Sequence, residues 1–184
     1  MHVNTVFPNL NTQRLHLRRI TDADKGQIFK AMSDEYVVKH LGCSYETLAE
    51  AQTLLDWYEL IFHHEVGIWW GICLYDAPAQ LIGACGIHDW DRQQHSAELA
   101  FWLLPEHWRK GYMKESLYAV MTHCFSTLLL HRLQARVDAG NSASQTLLLQ
   151  CGFQQEGILR DAEFRGNEYF DVFLYARLAT DPRV

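Results

Sequence analysis

With 184 residues, 48% of them apolar and 21% charged, the chain has the composition of a globular protein with a real core, and disorder is excluded. A formal net charge of −6 excludes nucleic acid as a general partner and leaves amines, polyamines and basic protein segments open. Cys43, Cys73, Cys85, Cys124 and Cys151 are odd in number and widely spaced, with no C-x-x-C pair, so disulfides and a zinc site are not expected.

In chain order, Leu15, Leu17 and Ile20 alternate with His16 and Arg18 as a first strand. Thr21 or Asp22 caps a helix over roughly Asp24 to Met32. A second helix is read from about Tyr45 to His63, on Leu48, Ala51, Leu55, Tyr58 and Phe62, with Ser44 as a candidate cap. Between the two lies an irregular segment, Tyr36 to Ser44, of the kind that walls a pocket. Val66–Tyr75 and Leu81–His88 read as a hairpin around the turn Asp76–Gln80. Gly83 and Gly86 inside the second strand point to a bulge or a close backbone approach.

The stretch Ala97–Met121 organises the rest. It opens as a strand in which Glu98, Ala100 and Trp102 alternate with Leu99, Phe101 and Leu103, and Pro105 ends it because proline has no ladder donor. A basic turn, Trp108-Arg109-Lys110-Gly111, leads into a helix read from Lys114 to Leu130. A basic, glycine-containing turn at a helix start suits a phosphate, since free N–H groups and the positive dipole end point outward there. Arg132–Val137 is a further strand. Asn141 or Ser142 caps a helix that reaches about Cys151, with Gly152 as its C-cap. Phe153–Glu163 and Glu168–Arg177 are the last strands. The order is β-α-α-β-β-β-α-β-α-β-β. No repeat or linker divides it, so residues 1–184 are read as one α/β domain.

The opening Met1–Thr5 lacks the layout of a signal peptide, and no apolar run approaches the ~18 residues that span a bilayer. A cytoplasmic protein with no membrane partner is expected; monomer and homodimer both stay open.

The motifs resemble those of the GNAT acyltransferases, which move an acetyl group from acetyl-CoA to an amine, and within them the Rim-type ribosomal-protein N-acetyltransferases. The resemblance runs through Thr12–Arg18, Glu98–Trp108, Asn141–Ser144, Cys151–Phe153, Glu156-Gly157 and Asp171–Arg177. It implies one GNAT domain: a mostly antiparallel twisted sheet flanked by helices, with two parallel strands splayed at the cofactor site. The family's pyrophosphate loop, Q/R-x-x-G-x-G/A, falls on Trp108, Arg109, Lys110, Gly111, Tyr112 and Met113. Trp108 and Met113 depart from it, which matters little where main-chain N–H groups hold the phosphates; Lys114 adds a charge. The pantetheine arm is implied to pair with Phe101 and Leu103 beside Trp102, and a bulge near Phe101–Leu103 would aim an N–H at the thioester oxygen. Asn141 matches a cofactor-contacting asparagine.

The resemblance also implies the proton carriers. Leu148 stands where many members have a tyrosine that protonates the departing thiolate. Ser144, one turn earlier on the same helix face, matches the serine given that role in the Rim-type branch; the alternative is a hydroxyl that bonds only the helix backbone or the cofactor. Glu163 matches the carboxylate that deprotonates the amine, and its alternative is a solvated turn residue paired with Arg160 or Arg165. Glu98 is the rival base, with His40, His88 and His107 behind it. Three functions follow: acetylation of a protein N-terminal amine, of a basic ribosomal protein foremost; acetylation of a small cationic amine such as a polyamine or aminoglycoside; or acyl-CoA binding without catalysis.

Overall fold

The computed structural model describes residues 6–182; the stretch read for a signal peptide, residues 1–5, lies outside them. Eight strands form one sheet in the order β1-β2-β3-β4-β5-β6-β8-β7. Their ranges are β1 Leu10–Asn11, β2 Leu15–Arg19, β3 Ile68–Leu74, β4 Ala77–Asp91, β5 Ser96–Leu103, β6 Arg132–Asp138, β7 Gln154–Arg165 and β8 Glu168–Leu178. Every neighbouring pair is antiparallel except β5 and β6. The α/β sheet with one parallel pair is therefore the expected architecture, extended by the short β1.

The helices are α1 Lys25–Met32, α2 Glu35–Val38, α3 Leu48–His63, α4 Tyr112–Ser126 and α5 Ser142–Gln150. Alternation along the strands gives the sheet two apolar faces. Leu99 and Leu103 of β5 pack with Leu117, Val120, Met121 and Cys124 of α4. Trp102 faces the other way and packs with Ile28 and Ala31 of α1 and Ala51, Leu55 and Tyr58 of α3. The splayed pair thus has α4 and α5 on one face and α1 and α3 on the other.

Several boundaries move from those read in the sequence, each for a local reason. The helix expected from Tyr45 begins at Leu48, because Thr47, not Ser44, caps it in a box with Glu50. The segment 36–44 is not wholly irregular: Asp34 accepts from Tyr36 N and Val37 N and starts the single turn of α2. The helix expected over Lys114–Leu130 is Tyr112–Ser126; Gly111 starts it two residues early, and Leu129, with φ 57, breaks the run after it. The turn read as Asp76–Gln80 shrinks, because β4 already begins at Ala77. The glycines behave as read. A Cβ on Gly83 would stand 2.6 Å from the Trp102 carbonyl oxygen, and the register of β3 on β4 shifts beside it, at Ile72–Cys73. All five cysteines are free; four are buried and Cys43 is exposed.

Candidate active site

The two parallel strands touch only at their start. β5 pairs with β6 at Ser96–Arg132, Ala97–Leu133 and Glu98–Gln134, and no further. Beyond Glu98 the strands diverge, although β5 runs on to Leu103 and β6 to Asp138. The gap opens into a cleft of about 840 Å³. On its other edge β5 stays in register with β4 from Glu98 to Leu103, so the bulge considered near Phe101–Leu103 is not there; the register shift lies between His88 and Asp91. Leu104 N donates to Ile82 O of β4 at 3.0 Å. Backbone groups alternate sides along a strand, so those of Phe101 and Leu103 face the gap. The Leu103 carbonyl already accepts from the Trp108 indole at 2.6 Å, which leaves its N–H and both groups of Phe101 directed at the opening.

Pro105–His107 forms a 3-10 turn after β5. The chain then reverses through two left-handed residues, Arg109 at φ 58 and Gly111 at φ 79. Gly111 is the N-cap of α4 and no side chain caps that helix, so the first N–H groups, on Tyr112, Met113 and Lys114, are left for a ligand. The turn is held from behind by a residue that motif spacing did not single out. Arg14 donates to the Lys110 carbonyl at 3.0 Å and to Glu115 at 2.7 Å, and its guanidinium lies 4.7 Å from the Tyr112 ring centroid. Thr12 adds a 2.5 Å bond to the same Glu115. Burial alone would push the Glu115 carboxyl up; its bonds to Thr12 and Arg14 outweigh that and hold it below the usual range. The only signal for this brace was the Thr12–Arg18 stretch. Uncapped N–H groups beside Arg109 and Lys114 fit a diphosphate by charge and by donor supply.

The cleft brings together most of the residues singled out for the cofactor. Phe101, Trp102 and Leu103 line it from β5, and Trp108, Arg109, Gly111, Tyr112, Met113 and Lys114 from the turn and α4. Lys110 does not line it and serves instead through the carbonyl that Arg14 grips. From α5 come Asn141 and Ser144. Asn141 is the N-cap, with its side-chain oxygen accepting from Ser144 N at 3.0 Å. Leu148, one turn on, is fully buried.

The opposite wall carries the titratable groups. Asp138, at the end of β6, accepts from Gly140 N at 2.6 Å, lies 3.4 Å from His40 Nδ1 and pairs with Arg165. Burial would raise its carboxyl, but Arg165, the Gly140 N–H and His40 together hold it below the usual range. The same Arg165 donates to the Lys39 carbonyl at 3.1 Å, which ties the 36–44 segment to the sheet. Glu163 lies on β7, not in a turn, beside the register shift that follows Leu159. Its carboxylate is 3.5 Å from Arg165 Nε, and it is not among the residues lining the cleft. Glu98 sits where the two strands part, on the α1/α3 face, and like Glu163 it does not line the cleft. Burial pushes its carboxyl up, against the pull of His88, 4.0 Å away, and of Arg136. His40 and His107 line the cleft and His88 does not; burial lowers His107. Among the described residues no cluster of three or more His, Cys, Asp or Glu could hold a metal, and no helix is long and apolar enough to cross a membrane.

Comparison with known proteins agrees with this geometry. The family model described as "Acetyltransferase (GNAT) domain" matches residues 14–154. An uncharacterized N-acetyltransferase of Bacillus subtilis, YoaA, is 36% identical over 172 residues, 93% of this chain and 97% of its own. The ribosomal-protein-serine acetyltransferase of Escherichia coli is 32% identical over 99 residues, 54% of this chain and 55% of its own. Among solved structures, a spermidine N-acetyltransferase from Vibrio cholerae in complex with CoA and spermine superposes with a TM-score of 0.81 at 23% identity, covering 92% of this chain and 98% of that one. The splayed sheet with an uncapped helix at its mouth defines an acyltransferase-type cleft, and the chain belongs to the GNAT acetyltransferase family.

Proposed function

We propose that this chain transfers the acetyl group of acetyl-CoA to the N-terminal α-amino group of a protein, with ribosomal proteins as the first candidates. The observation that carries the reading is the parting of β5 and β6 after Glu98, with phosphate-ready N–H groups at one end of the gap and titratable groups at the other. Acetyl-CoA supplies an activated acyl thioester. The N–H groups of Tyr112, Met113 and Lys114, with Arg109, hold its diphosphate, and the main chain of Phe101 and Leu103 pairs with its pantetheine arm. Asn141 shapes the start of α5 against it.

The chain's own residues move two protons. An ammonium nitrogen has no lone pair, so a base must act first, and an α-amino group with a pKa of about 7.7–8.0 asks less of it than a lysine at about 10.4. Glu98 is the better placed of the two carboxylates: it is desolvated, its proton affinity is raised, and it stands at the apex of the gap. Glu163 sits further out against Arg165 and is the alternative base, acting through water. Ser144, on the cleft side of α5, gives its proton to the departing thiolate, a task the apolar Leu148 cannot perform.

The test is an acetylation assay with acetyl-CoA over ribosomal proteins, N-terminal peptides and spermidine, read by intact mass. A single acetyl group on N-terminal amines is expected. Ser144→Ala and Glu98→Gln should each cut kcat by about 10²-fold, in the usual range for a lost acid or base, and Glu163→Gln by less. Full turnover in both of the first two variants would overturn these roles. Acetylation of spermidine alone would overturn the acceptor.

A further inference from the structure

The acceptor end of the cleft is cationic on a protein that is acidic overall. Lys39, from the segment after α2, and Arg136, from β6, both line the cleft and are exposed. Neither side chain forms an ion pair among the described residues; Arg136 acts on the Glu98 carboxyl only through space. The one carboxylate in the cleft wall, Asp138, is already engaged by Arg165, the Gly140 N–H and His40. The two free cations are also close. Arg136 precedes Asp138 by two residues, so both project from the same face of β6 about 7 Å apart. One guanidinium, that of Arg165, bonds both the Asp138 carboxylate and the Lys39 carbonyl. Lys39 and Arg136 therefore flank a single opening.

We infer that the acceptor carries an acidic side chain within its first few residues, which Lys39 and Arg136 bind while its α-amino group reaches the gap. This rests on the proposed acetylation of N-terminal amines and names the subclass. A polyamine fits poorly, because every further nitrogen would bring a positive charge against Lys39 and Arg136, while the one carboxylate lining the cleft, Asp138, is already engaged. The net charge of −6 does not oppose an acidic acceptor inside the cleft. Charges farther away than about 8 Å are largely screened at physiological salt, whereas a cleft focuses the field of its own lining.

The experiment compares peptides that share an N-terminal Ser and differ only at their second and third residues: Asp-Glu, Asn-Gln or Lys-Lys. Spermidine is the fourth acceptor. The Asp-Glu peptide should exceed the Asn-Gln peptide by about tenfold in kcat/KM, two partly exposed charge pairs being worth a few-fold each, and the advantage should shrink as salt rises. Lys39→Gln should raise KM for the Asp-Glu peptide several-fold rather than lower kcat; Arg136→Gln should raise that KM as much, its effect on kcat being confined to the pH range in which the Glu98 carboxyl, which Arg136 pulls down, titrates. Arg136→Glu should turn the preference toward the Lys-Lys peptide, which a merely damaged protein could not do. Equal turnover of the three peptides, or a wild-type preference for Lys-Lys, overturns the inference and leaves N-terminal acetylation standing. Spermidine turnover with no peptide acetylated overturns both.

Discussion

Glu98 and Asp138 show how two carboxylates near one cleft are driven apart by their neighbours. Glu98 loses water without gaining a close cation, and its carboxyl moves up. In the folded chain it therefore keeps its proton to higher pH than in the unfolded chain, where its value is about 4.3. Between those two values the native state binds more protons, so stability falls as pH rises, and the penalty is complete above the folded value. Glu98→Gln should relieve it: the variant should gain in Tm relative to wild type as pH rises through that window and hold the gain beyond, while its acetylation rate loses the limb that rises with pH. A melting-temperature difference that ignored pH would mean Glu98 is solvated like any surface carboxylate. Asp138 runs the other way. Its folded carboxyl is held below the usual range, so its contribution is fully present above about pH 4 and is lost as pH falls through the folded value. Asp138→Asn leaves Arg165 facing a neutral amide. It should cost about 2–3 kcal/mol at pH 7, below the range for a fully buried broken pair because Arg165 is 18% exposed, and denaturant titrations should show the gap closing in acid.

At the level of elements, the turn from β5 to α4 makes the cofactor end, and glycine is needed at one point of it. Gly111 sits at φ 79, a conformation that costs an L-residue about 1–2 kcal/mol. An added Cβ would also stand 3.3 Å from Arg14 Nη2, the far end of a side chain that can give way. Giving way, however, disturbs the hold of Arg14 on the Lys110 carbonyl. Gly111→Ala should thus lower Tm by about 2–8 °C and weaken CoA binding by calorimetry about tenfold or more. Arg14→Ala should weaken CoA binding without the backbone cost, which separates the brace from the strain. Wild-type CoA affinity in Gly111→Ala would place the diphosphate elsewhere. That glycine was readable from the sequence because a basic turn after a proline-stopped strand leaves few other uses for it. Arg14 was not, since its contacts with Lys110 and Glu115 span about a hundred positions of chain and no local pattern encodes them. The same holds for Arg165, which joins Lys39 to Asp138.

Across the whole molecule, periodicity recovered the long helices and the inner strands because each buries a regular apolar face, whereas the edge strand β7 has no buried residue. Leu117, Val120, Met121 and Cys124 mark α4, and Ala51, Leu55 and Tyr58 mark α3. What periodicity could not give was where β5 and β6 stop pairing. β5 stays paired with β4 as far as Leu103 and β6 with β8 as far as Asp138, so each strand keeps its outer partner after the two part. The gap so made is open protein surface that a ligand can cover on both sides, and this yields a measurable consequence. A ligand that binds only the native state stabilises it by about 2.7 kcal/mol at a hundred times its Kd. For a chain of this size that corresponds to a rise in Tm of about 5–10 °C. Acetyl-CoA and CoA should both produce it. Pantetheine, which lacks the diphosphate that the N-terminus of α4 is proposed to hold, should produce much less at equal concentration. Glu98→Gln should keep the full shift, because its carboxylate serves the acceptor and not the cofactor. A shift from pantetheine equal to that from CoA would show that the strands alone carry the affinity, and would remove the uncapped helix start from the binding site.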